Sequence, residues 1–452
     1  LKLGHGNSIL SLRKPHPDPS LFKLLCANGF WGRPALLNFV QCLRSSHPNV
    51  TRAEAAAIAG LEIGAADSLP DWGLVKTLME AFEELGILHP DRPDGSEPTW
   101  LFNKGLFMNS GVGVGVMNLN PVHLALRRRV KHTLADSLAQ WLRRNSFVSD
   151  SGTTTSTPGR PANYLSLPFD LVGFSYLSGI ASRTKESTVS RAVVGDCLLE
   201  ECNLPYAKSF AGRLDQCAAK ARIWPFAFVM ARQFEHGAFE YLRQRGVAMW
   251  TQSQLLGDKT AEAIQRVLTI AEGLIQQQNI DPNAFTEIFD GLENYAGLFG
   301  NLKGKLFELL VAYVFQSRTS NARLGWEIER DDQSYDVDVF AVLNTRSWAV
   351  ECKGVKSTVT VPNGEVVRHF SERVPLARHI AFDQDIASVR HVTGVVVTTG
   401  TFEEESTNDV ESGRYGKRPD TAFELWDRAR LIQELKRDGL SQLVQVVERY
   451  YA

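Results

Sequence analysis

The chain has few cysteines, and none of them stands in a metal-binding arrangement. Its 452 residues include six cysteines and no Cys-x-x-Cys pair. Cys197, Cys202 and Cys217 lack the neighbouring histidines of a zinc site, so they read as small buried apolar residues in a reducing compartment. No apolar run approaches the roughly 20 residues of a membrane-spanning helix, and no N-terminal stretch has the layout of a signal peptide. A cytoplasmic protein without a membrane partner is therefore expected, with Leu1 read as a processed or trimmed end. Excess charge is absent too: 49 Lys and Arg against 51 Asp and Glu leave a net charge of −2. No global field draws nucleic acid, so any such contact depends on local basic patches. The glycines from Gly111 to Gly115 lack the following Lys-Ser/Thr and the strand-to-helix setting of a phosphate loop, which excludes that kind of nucleotide site.

What the chain does have is a cluster of acids and one lysine near its C-terminal end. Asp336 and Asp338 lie two apart in an alternating run, and so do Glu351 and Lys353 in the next. Residues two apart on a strand share a face, and the polar stretch from Asn344 to Ser347 suits a hairpin turn. Pairing these strands brings two or three carboxylates and an ammonium to one end of a sheet. Crowded carboxylates cost stability unless a cation sits among them. Mg²⁺, or Mn²⁺, would supply that charge, while Lys353 could hold an attacking water or stabilise charge on a phosphate. A solvated hairpin with surface salt bridges is the blander alternative. It is disfavoured because Glu351 and Lys353 lie in an apolar run, Trp348 to Gly354, where unpaired charge is expensive.

This pattern resembles the PD-(D/E)xK nuclease superfamily, with its restriction-endonuclease-like fold. Asp338, Glu351 and Lys353 stand at the three motif positions, and Asp336 matches an extra acid that many members carry. Glu308, in the helical run from Gly304 to Phe315, matches the glutamate that members often have on a preceding helix. The eponymous proline is replaced, Tyr335 standing just before the first acid. The resemblance implies that Asp338, Glu351 and the carbonyl of Cys352 bind the metal, that Lys353 positions the nucleophilic water, and that Asp336 or Glu308 tunes the site. Around the motif, a helix over residues 365–381, an apolar strand over 392–399 and a helix over 422–435 complete an α/β core.

The N-terminal region resembles a winged helix-turn-helix. Helices are expected from Ala35, from Ala55 behind a Thr51/Glu54 capping box, and from Asp71 to Leu85, with short strands near Leu88 and Trp100 flanking a wing. The third helix carries Glu80, Glu83 and Glu84 with only Lys76, so DNA reading and protein docking stand level as its role. A helix starting at Pro121 repeats an apolar residue every four positions from Val122 to Leu142. Arg127, Arg128, Arg129, Lys131, Arg143 and Arg144 form its basic side, a candidate DNA-phosphate surface or, equally, the polar face of an interdomain helix.

The expected organisation is an extension (1–30), a winged-helix-like domain (31–118), the basic helix (119–148), a flexible linker (149–162), a middle α/β adaptor (163–290) and the nuclease domain (291–452). The middle region is read as an unrelated α/β module, or as a degenerate and catalytically silent relative of the C-terminal fold. The chain is thus an α/β, multidomain α+β protein. Its expected activity is metal-dependent DNA endonuclease cleavage in restriction or anti-phage defence, as a homodimer or as a subunit of a larger defence complex. Two alternatives stay open: a non-cleaving DNA-binding or assembly subunit, and a nuclease acting on RNA or structured DNA.

Overall fold

The computed structural model describes residues 49–51, 88–91, 99–102, 121–149, 152–156, 162–175, 177, 182–183, 188–293, 296–319, 321–330, 333–383, 389, 391–415 and 420–452. It is a mixed α/β structure that divides into two compact units, Leu1–Gly257 and Asp258–Ala452. No helix among the described residues is long and apolar enough to cross a membrane.

In the first unit, β1 (Asn49–Thr51), β2 (Leu88–Asp91) and β3 (Thr99–Phe102) form an antiparallel sheet in the order β1-β3-β2. The helices expected around these strands lie outside the described residues. Thr51, expected to cap a helix, is the last residue of β1, paired with Thr99.

Helix α1 (Pro121–Arg144) buries Leu126, Val130, Leu134, Leu138 and Leu142, the stripe that a four-residue spacing lays along one side of a helix. It packs on a five-stranded sheet of β4 (Thr154–Thr155), β5 (Leu171–Ser175), β6 (Arg191–Cys197), β7 (Phe226–Ala231) and β8 (Ala248–Thr251). Helices α2 (Leu204–Ala221) and α3 (His236–Gln244) make the crossovers between the parallel strands β6, β7 and β8. Asn203 caps α2 by accepting from the Tyr206 backbone N–H, and Pro205 follows in the first turn,.

Two expected boundaries need correction. The stretch over 149–162 is not a free linker where it is described: Thr154 and Thr155 pair with Val172 and Leu171 as the edge strand, and Ser149 and Ser156 donate backbone bonds to Phe174 and Asp170. Threonine suits a strand edge as well as a linker. The basic helix and the middle sheet therefore form one body. The second correction is the division after Gly257 rather than near residue 290. Helices α4 (Asp258–Ile275) and α5 (Asn283–Leu292) belong to the C-terminal unit. Gly291 lets them approach closely, because a Cβ there would lie 2.6 Å from Ala263. On its other side α5 packs Phe289 against Tyr450, the rings tilted with centroids 5.0 Å apart.

The C-terminal unit is built on a second five-stranded sheet, in the order β9 (Asn321–Arg330), β10 (Gln333–Leu343), β11 (Arg346–Lys353), β12 (His391–Thr398) and β13 (Thr421–Trp426). The first three strands are antiparallel neighbours and the last three parallel. Helix α6 (Ala296–Arg318) precedes the sheet, and its Phe315 stacks on Trp426 and meets Trp348 at a tilt. The β11-to-β12 crossover is α7 (Asn363–Arg368), a π-helical turn (His369–Arg373) and α8 (Val374–Asp383). Helices α9 (Glu404–Ser412), α10 (Arg428–Arg437) and α11 (Ser441–Tyr450) complete the unit.

The helix expected over 422–435 is instead a strand followed by a helix. Phe423 and Leu425 alternate toward the core that includes Phe370 and Val374, and Asp427 caps α10 by accepting from the Arg430 N–H,. Asp427 marks a break that apolar spacing alone conceals.

Gly394 on β12 admits the crossover that carries Arg373. A Cβ at this position would sit 2.6 Å from Val374 and 3.2 Å from both Phe370 and Phe423. Gly394→Ala is expected to lower stability by about 1–3 kcal/mol, the usual cost of overpacking, measured as a lower urea midpoint. An unchanged midpoint would mean that the crossover yields freely.

Candidate active site

The hairpin of β10 and β11 carries the acidic cluster. Asn344, with φ of 54°, and Thr345 close it, and asparagine tolerates that left-handed conformation better than most side chains. The ladder pairs Val339 with Val350, so one step on, Asp338 lies across from Glu351. Asp338 Oδ2 accepts from the Cys352 backbone N–H at 2.7 Å. Cys352 itself is buried as a free thiol, as are the other described cysteines, Cys197, Cys202 and Cys217.

Asp338, Glu351 and Lys353 come together as the sequence reading expects, with Glu308 of α6 beside them. Burial pushes the Asp338 carboxyl well above the ordinary aspartate range, and Glu308, Glu351 and Asp336 add to that rise against the Cys352 N–H,. Asp336 is exposed at the mouth of the cluster. There partial desolvation raises its pKa, Lys305 opposes the rise and Glu351 adds to it. Lys305 Nζ pairs with Glu308 Oε2 at 2.6 Å.

Glu351 goes the other way. Burial works against its charge, but Arg373, His369 and Lys353 outweigh it and lower the pKa. Arg373 of the π turn donates to Glu351 Oε2, and Lys353 Nζ lies 3.1 Å from Oε1. The same ammonium reaches Glu365 Oε2 at 2.7 Å. Desolvation disfavours its charge, yet these two carboxylates raise the Lys353 pKa on balance, so it stays protonated. His369 Nε2 is 3.0 Å from the Ala349 carbonyl oxygen, while Nδ1 is buried without a hydrogen-bond partner. Burial takes this histidine down to about 4.

Glu365, His369, Arg373 and Lys305 are site residues that the motif does not name. The signal for three of them was spacing: Glu365, His369 and Arg373 follow one another at four-residue steps, hence on one side of a helical segment,. The π turn at His369–Arg373 sharpens it, since such insertions recur at functional sites.

The donor set fits a hard divalent cation such as Mg²⁺ or Mn²⁺: carboxylate oxygens with a backbone carbonyl near by, and no accessible sulfur. The raised pKa of Asp338 bears on the fit: burial is its main cause, and the neighbouring carboxylates of Glu308, Glu351 and Asp336 add to it, a crowding of negative charge that a cation would offset,. Among the described residues no three His, Cys, Asp or Glu side chains are already gathered at ligand distance. Glu351 is held by one cation at each oxygen, Lys353 at Oε1 and Arg373 at Oε2.

The basic residues of α1 separate into two kinds. Arg127 pairs with Glu200 at 2.6 Å, Lys131 with Asp170 at 3.0 Å, and Arg143 donates to the Thr153 carbonyl at 3.0 Å. Arg128 is half-buried, whereas Arg129 and Arg144 are exposed. The last two are fifteen residues apart, which is about 60° around the helix and about 22 Å along it.

No family model matches the chain, and no curated protein matches it.

The opposed shifts give the site a defined pH response. A carboxyl raised in the folded chain keeps its proton where the unfolded chain has lost it, so Asp338 costs stability as pH climbs above the ordinary aspartate range. Glu351 contributes stability above the ordinary glutamate range, and that contribution is lost as pH falls through its lowered pKa. Metal-free Asp338→Asn is expected to melt higher than the parent at about pH 8, with the gap closing toward about pH 4, where both side chains are neutral. A pH-independent difference in thermal melts would place the strain elsewhere.

Proposed function

We propose that the C-terminal unit is a metal-dependent phosphodiesterase of the PD-(D/E)xK, restriction-endonuclease-like kind, acting on DNA. The observation that carries this reading is the meeting of Asp338, Glu351 and Lys353 at one sheet end, with Asp338 left electrostatically under-compensated. The mixed five-stranded sheet between α6 and the 363–383 crossover supports the same fold assignment.

Asp338, Glu351 and the Cys352 carbonyl would hold Mg²⁺ or Mn²⁺. Such an ion, when bound, polarises a phosphoryl oxygen and acidifies a bound water. Lys353 is kept as an ammonium by Glu351 and Glu365, so its part is to donate hydrogen bonds and stabilise negative charge rather than to take a proton. Asp336, open to solvent and with its pKa raised, is the group best suited to accept a proton from the attacking water. Glu308 and Lys305 set the potential at Asp338 from α6.

The N-terminal sheet, in which β3 lies between β1 and β2, is compatible with a winged helix-turn-helix, and we assign that module to target recognition or docking. A recognition module joined to a cutter suits restriction or anti-phage defence, as a homodimer or within a larger complex. One observation favours the non-cleaving alternative: Arg373 and Lys353 already hold Glu351.

Cleavage of supercoiled plasmid and of single-stranded RNA, with Mg²⁺, Mn²⁺ or EDTA, tests the reading. Lys353→Ala and Asp338→Ala are each expected to slow metal-dependent DNA cutting at least roughly 100-fold while leaving the fold intact. Variants that cut at the parental rate would remove these residues from the site, and cutting of RNA alone would change the substrate class.

Arg129 and Arg144 are the α1 cations best placed to meet phosphates. Arg129→Ala/Arg144→Ala is expected to reduce the slope of log affinity against log salt by about two. Arg127→Ala should leave that slope nearly unchanged, since Arg127 faces Glu200. Equal slopes for all three proteins would assign α1 to packing alone.

A further inference from the structure

The two five-stranded sheets are built alike. Each runs across in chain order, β4-β5-β6-β7-β8 in one and β9-β10-β11-β12-β13 in the other. In both, the first three strands are antiparallel neighbours and the last three are parallel. Each sheet follows a long helix, α1 or α6, and each has helical crossovers at the same two places.

The likeness continues into the side chains at the matching sheet end. The β5–β6 ladder ends with Gly195 opposite Leu171, so the next step sets Asp170 across from Asp196, as Asp338 is set across from Glu351. Asp170 Oδ2 accepts from the Cys197 backbone N–H at 2.8 Å, the counterpart of the Asp338 bond to Cys352 at 2.7 Å. In each copy a cysteine follows the second acid. In each, an arginine from the next crossover holds that acid: Arg213 on Asp196 and Arg373 on Glu351.

The differences are equally specific. Where Lys353 stands two residues after Glu351, Leu198 stands two after Asp196. Where α6 brings the carboxylate of Glu308 toward Asp338, α1 brings the ammonium of Lys131 to Asp170, with Nζ 3.0 Å from Oδ1. The Tyr206 hydroxyl donates to Asp196 Oδ2 at 2.5 Å. Burial raises Asp170 to about 6 against the pull of Lys131. Arg213 outweighs the burial of Asp196 and lowers it. Two carboxylates face two cations in a nearly closed site, with Arg213 and Asp196 almost fully buried.

We infer that residues 121–251 are a second copy of the C-terminal fold, whose acidic pair is a divalent-metal site closed by the Lys131 ammonium and without a catalytic lysine. This copy hydrolyses nothing, and each chain has one cutting centre. The naming of the pair as a former metal site rests on the nuclease reading of the C-terminal unit; the shared topology and matching registers do not. Removal of the Lys131 charge should reopen the pair to a hard divalent cation, with Asp170 and Asp196 as ligands.

The test is Mn²⁺ binding to the full chain, followed by electron paramagnetic resonance, for the parent, Asp338→Ala, Lys131→Gln and Asp338→Ala/Lys131→Gln. The expected stoichiometries are one, none, two and one ion per chain. A double variant that keeps native circular dichroism and binds no Mn²⁺ overturns the inference. A parent that binds none, beside a double variant that binds one, overturns the C-terminal reading alone. Should Lys131→Gln lose stability, Mn²⁺ must restore its melting temperature where Na⁺ at equal ionic strength does not; failure to restore it also overturns the inference.

Discussion

The C-terminal unit depends on keeping several carboxylates together at one end of a sheet. Strand geometry brings Asp338 and Glu351 face to face, and α6 adds Glu308 from the flank. Mutual repulsion in a partly dry site would separate these groups unless positive charge were placed among them. The chain supplies it from three directions: Lys305 on α6, Lys353 on the strand itself and Arg373 on the π turn. Their effect is uneven. Glu351 receives two cations and is held ionised, while Asp338 receives one backbone N–H and is pushed toward its neutral form. The site is therefore divided into a satisfied acid and an unsatisfied one.

Topology decides where this happens. β11 and β12 are parallel, so their connection must travel the length of the sheet, and the crossover begins beyond the C-terminal end of β11,. Glu351 and Lys353 occupy that end, and Glu365, His369 and Arg373 are the first residues of the crossover able to turn back over it. Open α/β sheets gather ligands outside the carboxyl ends of their strands for this reason. The close approach at Gly394 fixes the height of the crossover above the sheet, and Arg373, the last residue of the π turn, bonds to Glu351.

Much of this could be read in the chain. A period of two placed Asp336 and Asp338 on one strand and Glu351 and Lys353 on the next, and the four-residue spacing of Leu126, Val130, Leu134, Leu138 and Leu142 drew α1 correctly. The failures share a cause, in that local pattern does not say what an element packs against. Residues 422–426 carry apolar groups at a spacing that a helix or a strand could use, and pairing with β12 decided for the strand. Thr154 and Thr155 read as linker because their partner, Leu171–Val172, lies far along the chain. Arg127, Lys131 and Arg143 looked like one basic face with their neighbours until Glu200, Asp170 and Thr153 were brought against them.

The likeness of the two sheets was hidden for a similar reason. Asp338 and Glu351 are separated by a two-residue turn, so the motif is compact, but a connection spanning residues 176–190 separates the strands that bring Asp170 to Asp196. No short pattern spans that distance, and the lysine that would complete one is Leu198. What persists is register: an acid opposite an acid, a cysteine N–H donated across the gap, and an arginine from the following crossover. Backbone pairing and buried charge constrain these features more tightly than loop length does, because shifting a strand by one residue would turn every side chain to the wrong face and leave Asp196 or Glu351 buried without its cation. In the first unit the same physical demand, positive charge among crowded carboxylates, is met from within the chain by Lys131 and Arg213. In the second it is met only in part: Lys353 and Arg373 hold Glu351, while Asp338 keeps its carboxyl pKa well above the ordinary range.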